Sequence, residues 1–189
     1  MNADAVAFAK SKGIAIYARK TGSSLPGTVI RKDVPAPASG VRGIAHEARV
    51  GFVPTELADA SVLPAFLAAV EASRGHAKQV TLAEGRCATR HFSCVLGLEN
   101  VVDEHELFWR VAGVLGDDAH RGECGAVSLI GEGIHRTPRV LKDSLEVLRE
   151  DGIGVRGIST SSFRITFTIE SCDTAKAVRV LHARLLPTH

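Results

Sequence analysis

Ile153-Gly-Val-Arg-Gly-Ile-Ser-Thr-Ser-Ser-Phe-Arg-Ile-Thr-Phe-Thr-Ile-Glu170 reads as two strands in series. Ile153 to Thr160 is the first and Ser162 to Glu170 the second. In the second, Phe163, Ile165, Phe167 and Ile169 alternate with Arg164, Thr166, Thr168 and Glu170. Period-two alternation of β-branched and aromatic residues with polar ones predicts one buried face and one wet face. Such a sheet needs a cover, and two helical patterns flank it. Val140, Leu141, Leu145 and Leu148 fall on one helical face upstream, and Val178, Leu181 and Leu185 do so downstream. An apolar strand, Ala126 to Ile130, precedes them. The order strand, helix, strand, strand, helix predicts an α+β layer with helices on one face of an antiparallel sheet. The capping signals agree. Thr137 can accept an orphan N–H at the start of the upstream helix, with Pro138 at its first position. Gly152 suits its end, and Asp173 can cap the downstream helix.

Four motifs of this stretch resemble the C-terminal ACT domain of bacterial aspartate kinases. They are Ser128-Leu-Ile-Gly-Glu-Gly-Ile134, Thr137-Pro138, Gly152-Ile-Gly-Val-Arg-Gly-Ile-Ser-Thr-Ser161 and Ala177-Val-Arg-Val-Leu-His-Ala-Arg-Leu185. The resemblance extends upstream. Ala5-Val6-Ala7-Phe8-Ala9-Lys10, the strand Ile14 to Arg19 and Pro26-Gly27-Thr28 are similar to the last helix, last strand and following loop of the kinase catalytic domain. A turn-rich piece from Lys20 to Thr28 lacks the Gly-Lys-Ser/Thr ending of a phosphate cradle and reads as a plain loop. Lys32 to Gly40 is a proline-rich linker by composition. Val41-Arg-Gly-Ile-Ala-His46 resembles the opening of the kinase regulatory region. The resemblance implies that this short strand joins the sheet of a second ACT unit, the first unit being inserted between the strands of the second.

Arg49 to Gly116 repeats the plan more weakly. Val50 to Val53 is a strand; Val62, Phe66, Leu67 and Val70 are a helical face, with Ser61 capping and Pro64 in the first turn. Gln79 to Ala83 and Thr89 to Leu96 are the strand pair. Leu107, Phe108, Val111 and Leu115 are the second helical face. An internal repeat of this kind predicts two stacked or joined units. The expected fold is therefore α+β, two ferredoxin-like ACT units (βαββαβ) with antiparallel sheets and helices on one face, after a remnant of the kinase domain. Expected boundaries are 1–40 for remnant and linker, 41–116 for the strand of the second unit and the first unit, and 117–189 for the second.

Composition narrows the function. The chain has 189 residues, 45% hydrophobic, with net charge +2, enough for a sizeable core. Lys and Arg are scattered and only 5% of residues are aromatic, so no base-stacking platform for nucleic acid is expected. No apolar run reaches membrane-spanning length and no signal segment stands out, so a soluble cytoplasmic protein is expected. Cys87, Cys94, Cys124 and Cys172 show no CxxC spacing and read as reduced thiols. Cys87, His91, Cys94, His120 and Cys124 could be drawn into a zinc site. However, residues 91 and 94 on one strand face opposite sides, so no metal and no cofactor is expected.

Phosphoryl transfer requires a phosphate cradle and a lysine on the transferring phosphate. Aspartate kinases carry theirs in a Lys-Phe-Gly-Gly motif that has no counterpart here, and the resemblance implies a chain without kinase chemistry. What the resemblance implies instead is regulation, in the biosynthesis of lysine, threonine and related amino acids. In ACT pairs an amino acid binds where the loop after the first strand meets a neighbouring unit. That loop is Glu132, Gly133, Ile134, His135, Arg136 and Thr137, faced by Ser159, Thr160 and Ser161. Free N–H groups at the helix start favour a carboxylate. Each residue has a plainer reading. Gly131 and Gly133 can be turn glycines, His135 and Arg136 a solvated loop, and residues 159–161 the turn between two strands. The family's glutamate is replaced by Ser162 and Phe163. The first unit, reading Leu57-Ala-Asp-Ala-Ser61 and Arg74-Gly-His-Ala77, lacks the family's Pro-Gly and Gly-Ile-Asn, so the second unit is the expected site. Expected partners are a second copy, paired through ACT edges, an amino acid effector and an aspartate kinase catalytic subunit. The rival readings are a dimerisation module without ligand and a fragment of a complete kinase.

Overall fold

The computed structural model describes residues 8–9, 11–19, 22, 28–30, 40–85, 89–116 and 123–186. Pro26, Gly27, most of the linker, Cys87 and His120 lie outside the described residues. The chain divides into residues 1–36 and 37–189. In the first unit, residues 8–9 and 11–12 are helical and Gly13 turns with φ 68°. Ile14 N–H then donates to the Ala9 carbonyl at 2.9 Å. β1 (Ile16–Ala18) pairs antiparallel with β2 (Thr28–Ile30), so the segment read as a loop ends in a strand.

The second unit is built of β3 (Gly43–Leu57), α1 (Leu63–Ala72), β4 (His76–Glu84), β5 (Arg90–Gly97), α2 (Glu104–Leu115), β6 (Glu123–Ile130), α3 (Arg139–Glu150), β7 (Val155–Thr160), β8 (Arg164–Glu170), a 3₁₀ turn (Ser171–Asp173) and α4 (Thr174–Leu185). All six strands form one antiparallel sheet in the order β4-β5-β3-β6-β8-β7. The two expected sheets are thus one, because two strands are shared. The strand expected at Val50 to Val53 is the middle of a 15-residue strand. Its first half, Gly43 to Glu47, pairs with β6, and its second half, Val50 to Leu57, pairs with β5. Reciprocally, the start of β6 sets Cys124 against Val50. Each repeat therefore shows the ferredoxin-like order 4-1-3-2 and borrows its fourth strand from the other.

A bulge between Glu47 and Val50 makes the sharing possible. In the first half Ile44 sits opposite Leu129, whose face carries α3 and α4. In the second half the residues facing the helices are Val53 and Leu57. The parity changes from even to odd, which one inserted residue accomplishes. All four helices consequently lie on one face. Val127, Leu129, Ile165, Phe167 and Ile169 pack under Val140, Leu148, Ala177, Leu181 and Leu185. Val53, Leu57, Phe92 and Leu96 pack under Phe66, Val70, Leu107 and Val111, with the Phe66 and Phe92 rings edge to face at 5.3 Å. Each buried Val, Leu, Ile or Phe side chain among these contributes about 1.5–3 kcal/mol.

Several local expectations are corrected. Thr166 and Thr168 are not on a wet face but are buried. Ser128 Oγ and Thr166 Oγ1 hydrogen-bond at 2.8 Å, which gives each of these two hydroxyls a partner, and Phe52 reaches to Gly157 across this side. Thr137 does not cap α3. Pro138 already has helical dihedrals and its carbonyl accepts the first intrahelical bond, from Lys142, so the cap position falls on a residue without a polar side chain. Asp173 occupies the cap position of α4 without a side-chain bond, because the 3₁₀ turn leads straight into the helix. Val62, rather than Ser61, precedes α1, with Pro64 in its first turn. Leu141 and Leu145 flank the buried face of α3, which is made by Val140, Ser144, Val147 and Leu148.

Candidate functional site

The loop after β6 is held by backbone contacts to the β7–β8 hairpin. Gly131 N–H donates to the Phe163 carbonyl at 3.0 Å and Gly133 N–H to the Ser162 carbonyl at 3.2 Å. His135 Nδ1 lies 3.1 Å from the same Ser162 oxygen. From the other side, Arg42 N–H donates to the Ile130 carbonyl at 2.7 Å. The structure therefore brings together the loop and the hairpin tip, where Ser161 N–H closes the turn on the Arg164 carbonyl at 2.7 Å.

The predicted residues occupy distinct environments. Glu132, His135, Arg136 and Thr137 are exposed at the loop surface. Ile134 turns inward and its side chain is buried in the core, which anchors the loop. Gly133 has φ 68°, and the Arg136 side chain folds over it, so that a Cβ there would stand 2.9 Å from Arg136 Nε. Ser159 and Thr160 belong to β7, opposite Thr166 and Ile165, and only Ser161 lies in the turn itself. Gly131 is a close-approach glycine, because a Cβ would stand 1.9 Å from the Gly40 carbonyl oxygen. Arg42, Arg136 and Arg164 are placed at this end of the sheet with Glu132, and Arg139 beside them is paired with Asp143 at 3.6 Å. A groove of about 360 Å³ starts at Pro138 and follows α3 past Leu141, Leu145 and Arg149.

A second concavity, about 840 Å³, lies on the helix-free face and is lined by Phe52, Pro54, Glu56, Thr81, His91 and Arg156 among others. His91 Nδ1 is 3.3 Å from Glu56 Oε1. The Arg156 guanidinium is bonded to Glu170, with Nε at 2.6 Å, and this hydrogen bond raises its affinity for its proton. The residues come from four strands distant in sequence, so no local motif announces the concavity. Its nearest signal was the polar set His91, Ser93 on alternate positions of β5. His91 is exposed while Cys94 is buried in the core, where burial pushes its thiol up to about 12. The two thus stand on opposite faces, and among the described residues no group of His, Cys, Asp and Glu is arranged to hold a metal.

Residues 127–185 match the ACT domain family. The aspartokinase of Mycolicibacterium smegmatis is 30% identical over 190 aligned positions, covering 94% of this chain and 44% of its own length. The fold is similar to that of the aspartate kinase of Clostridium acetobutylicum, described as an allosteric enzyme. There the TM-score is 0.74 at 18% identity, over 94% of this chain and 43% of that one. It is also similar to the ligand-free regulatory subunit of aspartate kinase from Thermus thermophilus. In that case the TM-score is 0.61 at 16% identity, over 76% of this chain and 98% of that one. The chain spans 44% of the length of the aspartokinase it matches. No described helix is long and apolar enough to cross a membrane.

Proposed function

We propose that this chain of aspartate kinase regulatory type is a non-catalytic module that binds an amino acid effector, a kinase chain or both, with the effector at the loop between β6 and α3. One observation carries the reading. Similarity to aspartokinase over 94% of the chain coincides with a single sheet in which β3 and β6 join two ACT-like repeats. A sheet of shared strands supplies rigid support for a loop site, and its bulge gives one place where the two halves can shift against each other.

The chemistry of an amino acid suits the loop. Its carboxylate would take the unpaired N–H groups of the first turn of α3, where the helix dipole is positive, with Arg136 beside them. Its ammonium group would lie against Glu132. One such charge-assisted contact contributes about 1.5–3 kcal/mol, so its loss weakens binding roughly tenfold or more. The test is calorimetric titration of the best-bound amino acid into Glu132→Ala and Arg136→Ala variants. Both should bind at least tenfold more weakly; parent-like affinity in both contradicts the site. An assay for ATP-dependent aspartyl phosphate should give the rate of a no-protein control, and formation above it contradicts the non-catalytic role.

The loop's internal closure favours a second reading, an interaction module without a ligand. Gly133 N–H and the His135 ring are both directed at the Ser162 carbonyl, which leaves the loop fewer donors. Absence of any heat with amino acids at millimolar concentration, together with retained self-association, would favour it.

A further inference from the structure

We infer that the β3 bulge is a latch between the two repeats, held closed by Lys78 of β4 on Glu47 and released toward Thr174 of α4. This goes beyond the effector site and does not depend on it. The bulge, between Glu47 and Val50, is where β3 changes partner from β6 to β5. A shift there moves Gly43 to Glu47, and with them β6, which leads into the loop at Glu132.

The first repeat holds the bulge by charge. A second bulge, between Ala77 and Gln79, takes Lys78 out of the regular ladder of the edge strand. Its side chain crosses β5 over Gly97, where a Cβ would collide with Lys78 Cε. It ends on Glu47, one strand further in, and lies 3.3 Å from Glu99 Oε1. The Lys78 and Glu47 side chains are 30% and 35% exposed, so salt screens them less than an open surface pair. On the other side of the bulge, Arg49 Nη2 donates to Glu104 Oε2 at 2.7 Å, at the start of α2. Both ties run to the first repeat.

The second repeat meets the bulge differently. Thr174 opens α4 and is buried, and its Oγ1 has no hydrogen-bond partner. A Cβ on Gly125 would collide with that Oγ1 and stand 3.2 Å from the carbonyl oxygens of both Glu47 and Ala48. The space beside Gly125 is therefore shared by a donor without an acceptor and two bulge carbonyls. A buried hydroxyl left unpaired is costly. Movement of the bulge toward α4 lets Thr174 donate to one of these carbonyls, at the expense of the Lys78–Glu47 contact. Each arrangement satisfies a group that the other leaves unpaired, which makes the segment a two-state element.

The experiment is hydrogen exchange, resolved by peptide, on the full chain without ligand. Loss of a partly exposed ion pair shifts a local opening equilibrium about two- to fivefold. Lys78→Met should therefore speed exchange by about that factor in peptides covering residues 43–47 and 126–134, with α1 and β5 unchanged. Adding Glu47→Gln should give no further acceleration, because both changes remove the same contact. Thr174→Val keeps the shape and removes the hydroxyl, and should slow exchange in the same peptides. Acceleration spread evenly over all peptides, a further acceleration from Glu47→Gln, or a Thr174→Val variant that exchanges as fast as the parent overturns the latch. None of these outcomes bears on whether an amino acid binds at Glu132, which titration decides separately.

Discussion

Gly131 has no room for a side chain, since its Cβ would meet the Gly40 carbonyl oxygen at 1.9 Å. Sequence alone could not separate a turn glycine from a ligand-contact glycine here, because the neighbour that excludes a side chain comes from the segment before β3, far earlier in the chain. Gly131→Ala should cost about 1–3 kcal/mol, seen as a lower urea midpoint with an unchanged slope. At Cys94 burial raises the thiol from 9.0 to about 12. The folded state then holds a proton that the unfolded chain releases above 9.0, so the stabilisation is complete below that pH and is lost progressively up to about 12. Denaturation midpoints should fall across that window, and less steeply in Cys94→Ala measured against its own baseline. The loop residues were legible as a loop, but Ile134 was not legible as its anchor. One apolar residue in a polar turn carries no period, and only the completed core shows where it points.

The helices and strands of the second repeat were read nearly as they stand, since strong periodicity survives any tertiary context. The caps were not. Thr137 and Asp173 have the right chemistry at positions where the preceding backbone is already helical, which no residue type reveals. The reverse case is Asp103, whose carboxylate accepts the Glu106 N–H at 2.9 Å and caps α2. Its signature, an acid three residues before Glu106, stood in the sequence unread. Asp103→Ala should lower stability by about 1 kcal/mol, whereas Thr137→Ala should change it by less than about 0.5 kcal/mol, in parallel urea titrations. The β3 bulge was invisible for a different reason. Ile44 and Val53 each fit an alternating pattern, and only pairing to two different partners exposes the change of phase between them.

At the scale of the molecule, a repeat read as two units is a single sheet. The repeat was legible because each copy keeps its own apolar pattern; the sharing was not, because it resides in long-range pairing of β3 with β6. Shared strands predict that the repeats cannot unfold separately. Trp109, the single tryptophan, sits on α2 of the first repeat and reports that half, while circular dichroism reports both. The two urea transitions should coincide; a separate earlier tryptophan transition would mean that the repeats are independent. The effector site proposed above is the loop at Glu132, supported by that sheet. The direct measurement is calorimetric titration of the intact chain with each of the common amino acids in turn. A saturable heat for one or a few of them at millimolar concentration or below is predicted, and the absence of heat with every one would contradict a ligand-binding regulatory module.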